Sequence, residues 1–368
     1  MKILEICPFS AGGCGVWARA KYESVELTKL GHKVAVFSSN IEKGTNKILN
    51  TKDKREKIEI FRFPAKKYPF SENVLHFNFQ KQLEIFSPDL VITHLLHPHS
   101  FEALKICKKL NIPIFMVTHA PFNVKRNFFL NILTKIWNYR LKLKLKQFDK
   151  IITITNWETK YLRKFNLPEN KTILIPNGIR KKFFTEKQGK EKKQILYCGR
   201  ISPVKNIETL IKALYLLKDK SIKLKLLGKV EPDYLPKLKN LITKLKLQKQ
   251  IELVNEVYNI NDQISALNES KIFALPSLRE AMPQVLIEAM SRAKIVISSN
   301  TDGGKEIIEN KKNGYLFQIG NSEELAKLIK ENIKGNKKIQ EQAKKDSKKY
   351  PWEKLIKKYE KLIEECYQ

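Results

Sequence analysis

Residues 194–214 read QILYCGRISPVKNIETLIKAL and contain the signals of a strand, a turn and a helix. The apolar run at 195–198 predicts a short buried strand, Gly199 permits a tight turn, and the stretch from Ile207 predicts a helix. Consecutive parallel strands need a crossover, usually a helix, to return to the same sheet. The segment therefore predicts one unit of a parallel α/β sheet.

The same alternation of strands and helices continues outward from this segment in both directions. A polar, Lys-rich stretch interrupts it at 179–193. We therefore predict an α/β protein with two Rossmann-like, doubly wound domains, residues 1–177 and 193–350, joined by a linker at about 178–192. The other predicted strands are KILEIC, KVAVFS, KIEIFRF, DLVITH, IPIFMV and KIITIT before the interruption, and IKLKLLG, IELVN, KIFALP and KIVISS after it.

Composition narrows the class of protein. A chain of 368 residues, 42% of them hydrophobic, can fill two cores and is not expected to be disordered. The five cysteines are scattered, with no C-x-x-C pair, which predicts reduced thiols rather than disulfides or zinc. The apolar runs are shorter than the roughly 18–20 residues that cross a bilayer, and MKILEICPF lacks the apolar region of a secretory signal. We expect a cytoplasmic protein.

The net charge is +32, from 70 Lys and Arg against 38 Asp and Glu. Such an excess attracts polyanions, so nucleic acid, anionic lipid and phosphorylated small molecules are all candidate partners. The alternative is that most of the lysines simply solvate the exposed faces of helices.

Open α/β sheets bind ligands at the carboxyl ends of their strands. Arg200 and Lys205 follow a predicted strand and precede a predicted helix, a position that suits a diphosphate because both supply donors beside the positive end of the helix dipole. An ordinary basic loop is the alternative. Gly12 and Gly13, after the first strand, either aim backbone amides at an anion or form a structural turn. Without G-x-G-x-x-G or an acidic residue after the second strand, a nicotinamide-dependent dehydrogenase is disfavoured.

Two glutamates stand eight positions apart in LREAMPQVLIEAM, residues 278–290. Pro283 suits the first turn of a helix, so Glu280 is expected in the loop before it and Glu288 one to two turns inside. A carboxylate can accept hydrogen bonds from paired hydroxyls, and the helix N-terminus can hold phosphate. The alternative is a pair of solvated helix glutamates.

This stretch resembles the Glu-x7-Glu motif of glycosyltransferase family 4, a group of retaining enzymes with the two-domain GT-B architecture, in which the domains face a central cleft. The resemblance covers nearly the whole chain and follows the family's order of motifs. Those motifs are AGG after the first strand, GHKV before the second, THAPF at 118–122, IPNGI at 175–179, GRISPVKN at 199–206 and TDGGKEIIENKKNGYLF at 301–317.

The resemblance implies a role for each of several residues. Glu288 would hold the ribose of a nucleotide, Glu280 and His119 would lie by the donor sugar, and Arg200 and Lys205 would stabilise the departing diphosphate. The remaining donor contacts would come from Gly12, Gly13, Gly199, Met282, Pro283, Gln284 and Val285.

The resemblance also implies the chemistry. A sugar would move from a nucleotide-diphosphate sugar to a glycan or lipid-linked acceptor with retention, by a front-face reaction in which the leaving phosphate oxygen takes the acceptor's proton. No metal and no cofactor would be needed. Another GT-B enzyme, either a nucleotide-sugar epimerase or a sugar-phosphate synthase, is the alternative. A basic nucleic-acid-binding protein is disfavoured because no reader motif is present and the glutamate pair would be unexplained.

Two local features qualify this interpretation. His94, His97 and His99 have a spacing suggestive of a metal site, but no cysteine or carboxylate completes the set, so acceptor contacts or helix capping are favoured over zinc. Asp302 stands where many relatives have the first glycine of a pair, whereas Gly303 matches the second.

Two segments bear on the acceptor and on how the domains are joined. Residues 125–150 combine apolar residues at helical spacing, Phe129, Ile132, Leu133, Ile136, Trp137, Leu141 and Leu145, with eight Lys or Arg. This pattern fits either an amphipathic helix on the cytoplasmic face of an anionic membrane or a core-facing helix with a basic outer face, and LKLKLK also permits a strand.

Residues 351–368 predict a helix that packs back on the first domain.

Overall fold

The computed structural model describes residues 1–45, 47–67, 75–119, 141–185, 189–256 and 259–367. The chain forms two compact units. The first unit comprises Met1–Gly178 together with Trp352–Gln368, and the second unit comprises Ile179–Pro351.

The first unit contains an eight-stranded sheet in the order β10-β9-β8-β7-β1-β2-β4-β3. Neighbouring strands are parallel except β3, which runs antiparallel to β4. A separate antiparallel pair consists of β5 and β6. The strands are β1 (Lys2–Ile6), β2 (Lys33–Ser39), β3 (Lys52–Arg55), β4 (Ile58–Phe63), β5 (Ala65–Lys67), β6 (Leu75–Phe77), β7 (Leu90–His94), β8 (Ile114–Val117), β9 (Lys150–Thr153) and β10 (Thr172–Leu174).

The helices of the first unit cover its sheet and bury their apolar sides. Besides the helical residues 141–145 and the last helix of the chain, they are α1 (Gly15–Lys29), α2 (Gln80–Phe86), α3 (Pro98–Leu110) and α4 (Asn156–Leu162), with short 3-10 turns at Arg163–Phe165 and Glu169–Lys171. The core combines strand residues such as Leu4, Phe37 and Val91 with helix residues such as Leu83 and Leu104. Strands buried on both faces explain why these segments are almost continuously apolar.

The second unit is built on a six-stranded parallel sheet in the order β13-β12-β11-β14-β15-β16. The strands are β11 (Gln194–Cys198), β12 (Lys223–Leu227), β13 (Ile251–Val254), β14 (Ile272–Leu275), β15 (Ile295–Ser299) and β16 (Tyr315–Phe317). The helices are α5 (Lys182–Thr185), α6 (Ile207–Leu217), α7 (Leu235–Lys244), α8 (Ile260–Glu269), α9 (Gln284–Ser291), α10 (Asp302–Ile307), α11 (Ser322–Asn332) and α12 (Lys337–Ser347), with 3-10 turns at Pro203–Lys205 and Pro232–Tyr234.

The last helix, α13 (Trp352–Tyr367), belongs to the first unit. Arg19 on α1 is fully buried beneath it, with the guanidinium carbon 5.3 Å from the Trp352 ring centroid and Nη2 donating to the Tyr359 hydroxyl at 2.9 Å. Arg19 also donates to the Ile175 carbonyl and to Asn177 Oδ1, both at 3.0 Å. A buried guanidinium with this many acceptors holds α13 in place.

The strands predicted on either side of the interruption at 179–193 are confirmed. Inside that interruption, α5 buries Phe183, whose carbonyl accepts a hydrogen bond from Arg292 at 3.2 Å. The predicted amphipathic helix at 125–150 lies mostly outside the described residues, which resume at 141. Residues 141–145 are helical, and Leu141 and Leu145 belong to the core of the first unit. Among the residues described, no helix is long and apolar enough to cross a membrane.

Candidate active site

The second unit has a topological switch point between β11 and β14. These strands are neighbours, yet the chain leaves β11 toward β12 on one side and β14 toward β15 on the other. The loops after the two strands therefore diverge and leave a crevice at their carboxyl ends, which is where open α/β sheets bind ligands. Gly199, Arg200 and Lys205 follow β11, and Glu280 follows β14.

The turn after β11 is shaped by a close backbone approach. Gly199 has φ +143°, and a Cβ added to Gly228, after β12, would lie 2.0 Å from the Gly199 carbonyl oxygen. A side chain at Gly228 would push the two loops apart. The Tyr197 hydroxyl donates to the Arg200 carbonyl at 2.6 Å and so fixes the backbone that carries the guanidinium.

Each cation of this crevice has a carboxylate partner. Lys205 Nζ lies 2.6 Å from Glu280 Oε1, which also accepts a hydrogen bond from Ser277 Oγ at 2.6 Å. Arg200 Nη1 pairs with Glu231, a residue of the loop after β12. All four charged side chains are partly exposed, between 10% and 25%. The crevice therefore holds two ion pairs that a dianionic ligand can reach.

Glu288 lies inside α9, whose N-cap is Pro283, so the predicted helix start is confirmed. Its carboxylate is buried and accepts a hydrogen bond from Gln263 Nε2 on α8. Burial raises the pKa of Glu288 to about 7, and the Gln263 hydrogen bond opposes that rise. Met282 and the N-cap Pro283 lead into α9, Gln284 and Val285 are its first two residues, and its first turn contains no acidic residue.

The loop holding Glu280 is braced by the glycine pair after β15. The Gly303 amide donates to the Glu280 carbonyl at 3.1 Å, and a Cβ at Gly303 would lie 2.5 Å from the Ala281 carbonyl oxygen. Asp302 is the first residue of α10, with a side chain that is 42% exposed. The tight contact thus depends on Gly303, and the position of Asp302 accommodates a side chain.

The first unit has its switch point between β1 and β7, and Gly12 and Gly13 follow β1. Gly12 has φ +81°, and a Cβ there would lie 2.3 Å from the Lys43 carbonyl oxygen. This approach requires glycine at position 12 for structural reasons, irrespective of any ligand. The amides of these residues precede α1, which has no acidic residue in its first turn.

His119 follows β8 in the first unit and has φ +54°, an uncommon value for a residue with a side chain. Its Nε2 lies 2.9 Å from Nδ1 of His94, which ends β7. His94 Nε2 in turn lies 2.5 Å from Oε2 of the buried Glu5 on β1. Burial lowers the pKa of His94 to about 4 and that of His119 well below its usual value, so both rings are neutral at pH 7.

The histidines at 94, 97 and 99 do not form a ligand set. His99 Nε2 is bonded to the His94 carbonyl at 2.8 Å, while His94 binds Glu5 and His119. In the described part of the chain, the three side chains with metal-ligand spacing are Glu5, Glu23 and His94. Arg19 already lies in that cluster, 3.1 Å from Glu23, and supplies a cation there.

Comparisons with known proteins agree with this architecture. The sequence model of Glycosyltransferase Family 4 matches residues 14–183, and that of Glycosyl transferases group 1 matches residues 178–350. Among solved structures, Anabaena HepE in complex with UDP and glucose superposes with a TM-score of 0.75 at 17% identity, over 99% of this chain and 100% of that one. The fold is therefore that of the GT-B glycosyltransferases.

Sequence relatives show which family of GT-B glycosyltransferases the chain belongs to. A probable sucrose-phosphate synthase of Thermosipho melanesiensis is 31% identical over 75% of this chain and 70% of its own length. An uncharacterized glycosyltransferase of Haemophilus influenzae is 29% identical over 92% of both chains. A Campylobacter jejuni N,N'-diacetylbacillosaminyl-diphospho-undecaprenol alpha-1,3-N-acetylgalactosaminyltransferase is 24% identical over 67% of this chain and 68% of its own. The chain belongs to glycosyltransferase family 4, the group 1 glycosyltransferases.

Several residues that contact the predicted site residues were not identified from the sequence. Glu231 and Gln263 contact Arg200 and Glu288 respectively, and Ser277 contacts Glu280. Glu231 could have been found, since it follows a predicted strand in GKVEPDY. Glu5 lies in the middle of the first predicted strand, and nothing in KILEIC indicates that its carboxyl meets a histidine.

Proposed function

We propose that this glycosyltransferase moves a sugar from a nucleotide-diphosphate sugar to a glycan or lipid-linked acceptor, with retention and without a metal. The observation that carries the proposal is the gathering of Arg200, Lys205, Glu280 and Glu288 around the β11–β14 switch point of the second unit. Cations beside a helix N-terminus suit a diphosphate, and a buried carboxylate suits the vicinal hydroxyls of a ribose.

Arg200 and Lys205 are assigned to the diphosphate. Their present partners, Glu231 and Glu280, are carboxylates, which supply the same kind of anionic oxygen that a phosphate would. A bound diphosphate would compete with the carboxylates for both cations. The two cations would then stabilise the negative charge that develops on the diphosphate as it leaves the sugar. The N-terminus of α9, at Gln284 and Val285, would supply further backbone donors. Met282, Pro283 and Gly199, whose amide already donates to the Leu227 carbonyl at 3.0 Å, are assigned to the same donor through contact rather than donation.

Glu288 is assigned to the ribose and Glu280 to the donor sugar. Lys205 and Ser277 hold Glu280 in the loop after β14, so its carboxylate is fixed beside the proposed diphosphate position. His119, Gly12 and Gly13 of the first unit are assigned, from the family resemblance alone, to contacts with a donor sugar and phosphate. Retention would follow from a front-face reaction in which the leaving oxygen accepts the acceptor's proton, a route that needs no general base from the protein.

Metal independence is proposed because protein cations take the role that Mg²⁺ has in other nucleotide enzymes. Activity is expected to survive EDTA, because Arg200 and Lys205 neutralise the leaving group. Loss of activity that Mn²⁺ restores would contradict this.

The acceptor is proposed from charge and from relatives. A net charge of +32 favours an anionic acceptor or an anionic membrane surface, which a cytoplasmic enzyme would meet at the inner leaflet. The Campylobacter relative is named for a diphospho-undecaprenol acceptor. A second candidate, a sugar-phosphate synthase, is favoured by the Thermosipho relative, since a sugar phosphate is also an anionic acceptor.

A thermal-shift screen of UDP, GDP and ADP and their sugar conjugates tests the donor site. One of these should stabilise the protein by about 2.7 kcal/mol at a concentration 100 times its dissociation constant. Lys205→Ala should weaken binding about tenfold and reduce transfer by on the order of tenfold to a thousandfold. Lys239→Ala is the matched control, because Lys239 is an exposed lysine of the same unit on α7. If Lys205→Ala and Lys239→Ala bound the nucleotide with equal affinity, or if no nucleotide raised the stability of the wild type, the proposal would be contradicted.

A further inference from the structure

Three polar side chains form a hydrogen-bonded series in the first unit. Glu5 Oε2 lies 2.5 Å from His94 Nε2, and His94 Nδ1 lies 2.9 Å from His119 Nε2. Glu5 and His94 are fully buried, whereas His119 is half-buried at the carboxyl end of β8. The series therefore runs from the interior of the sheet to its ligand-binding edge.

The positions of the protons in such a series depend on one another, because a neutral imidazole has one donor nitrogen and one acceptor nitrogen. If Glu5 is protonated, it donates to His94 Nε2, so His94 Nδ1 carries a proton and donates to His119 Nε2. His119 then carries its proton on Nδ1. If Glu5 is ionised, each hydrogen bond reverses, and His119 Nδ1 becomes an acceptor.

Charge counting in the cluster indicates which state holds. Glu5 and Glu23 are two fully buried carboxyls beside one cation, Arg19. The guanidinium Nε donates to Glu23 at 3.1 Å, so Glu23 is the carboxylate that Arg19 neutralises. A second buried negative charge on Glu5 would lack a cation partner in the described structure, and such a charge costs far more than a neutral acid.

The second oxygens of the two carboxyls are alike, since Oε1 of Glu5 and Oε1 of Glu23 both lack a hydrogen-bond partner within the described residues. The guanidinium contact to Glu23 therefore decides which carboxyl keeps its proton. His119, at the end of the series, has φ +54°. Strained backbone of this kind is found where a side chain is held for function.

We propose that Glu5 and His94 are positioning residues that keep the proton of His119 on Nδ1, so that His119 offers a ligand a hydrogen-bond donor. The inference rests on the proposed function in one respect, because that ligand is taken to be the donor sugar. The tautomer of His119 itself does not depend on the reaction.

The groups facing Glu5 set the pH at which the series would reverse. They are Arg19 and Glu23 on α1, His94 on β7, Tyr359 on α13 and Cys7 after β1. Burial raises the pKa of Glu5 to about 8, and Arg19 opposes the rise. Glu5 is therefore protonated at pH 7 and loses its proton as the pH rises through about 8, when His119 Nδ1 becomes an acceptor.

Imidazole nitrogen NMR on the full-length protein without ligand tests the tautomer directly. The wild type should show His119 protonated on Nδ1 at pH 7 and on Nε2 at pH 9, with signals assigned by His119→Gln. Glu5→Gln should abolish the pH response, because an amide does not titrate, and with its N–H facing His94 Nε2 it keeps the His119 proton on Nδ1. Glu26→Gln is the matched control on α1 and should behave as the wild type. Nε2 protonation at pH 7, or an unaltered pH response in Glu5→Gln, would overturn the inference.

Transfer kinetics supply the second measurement. The wild-type kcat should fall about tenfold between pH 7 and pH 9, because about one-tenth of a group remains protonated one pH unit above its pKa. Glu5→Gln should remove that loss without changing the KM for the donor, and Glu26→Gln should retain it. If no nucleotide sugar is turned over, the proposed function fails while the NMR result still decides the tautomer. If transfer occurs and kcat of Glu5→Gln falls as the wild type does, the positioning role alone fails.

Discussion

At the scale of single residues, the proposed donor site is distinguished by cations that already have carboxylate partners. The Arg200–Glu231 and Lys205–Glu280 pairs can be exchanged for a diphosphate because its oxygens would replace the carboxylates as partners of both cations. The same pairs orient both cations before the ligand arrives, which reduces the entropy lost on binding.

If Glu288 holds the ribose as proposed, nucleotide binding should depend on pH. Its pKa, raised to about 7, means that the carboxylate needed to accept two ribose hydroxyls is present above pH 7 and lost below it. We expect the dissociation constant of the nucleotide diphosphate to rise about tenfold more between pH 8 and pH 6 in the wild type than in Glu288→Gln. Calorimetry with both proteins measures this difference, and the variant corrects for the phosphate's own titration near pH 6. Equal pH dependence would exclude Glu288 from the ribose site.

Sequence reasoning located the residues that follow strands, because the carboxyl-end rule depends only on the order of elements. It placed Arg200 and Lys205 after a predicted strand and Glu280 in the loop before a predicted helix, and the strand order of the structure brings both loops to one switch point. It could not place Gln263 beside Glu288, since the contact joins two helices whose relative packing is a tertiary property. It also could not foresee the partnership of Glu5 with His94, which depends on which strands become neighbours.

At the scale of elements, α13 is held by a polar contact as well as by apolar burial. Tyr359→Phe removes the acceptor of Arg19 Nη2 and should lower the free energy of unfolding by about 1–3 kcal/mol. Tyr367→Phe, near the exposed end of the same helix, removes only a solvent-exposed hydrogen bond to the Asp89 carbonyl and should lower the free energy of unfolding by less than Tyr359→Phe does. Tryptophan fluorescence during urea unfolding reports on the first unit, because no tryptophan occurs in the sequence of the second. Similar losses in both variants would show that Arg19 does not anchor the helix through Tyr359.

Residues 141–145, at the described end of the basic segment 125–150, allow packing in the core to be distinguished from contact with a membrane. Leu145 is fully buried, whereas Leu143 is 47% exposed. If residues 141–145 face the core, Leu145→Ala should destabilise the first unit by about 2–5 kcal/mol, while Leu143→Ala should have little effect. The same urea experiment measures both variants. A small effect of Leu145→Ala would instead favour a surface-bound segment.

The strands that the sequence predicts well are those buried on both faces, because burial demands continuous apolar residues. KVAVFS and KIVISS belong to this class and became β2 and β15. Strand β3, Lys52–Arg55, consists of KDKR and was not predicted. It is an edge strand with mostly exposed side chains, so its pairing with β4 rather than its composition makes it a strand.

At the scale of the whole molecule, a large positive charge accompanies a proposed anionic substrate. The net charge of +32 is far more than the few cations of the donor site require. It would raise the local concentration of nucleotide sugars and of anionic acceptors alike, an effect that salt would screen. Both proposed acceptor classes, lipid-linked and sugar-phosphate, carry the negative charge that such a field attracts.

The stereochemistry of transfer is the most direct test of the proposed reaction. Proton NMR should follow the nucleotide sugar selected by the thermal-shift screen in the presence of EDTA, with water or a supplied acceptor. With an α-linked donor, the first product formed should have the α configuration, before mutarotation equilibrates any free sugar. An initial β product would contradict retention and with it the proposed front-face reaction at the β11–β14 switch point.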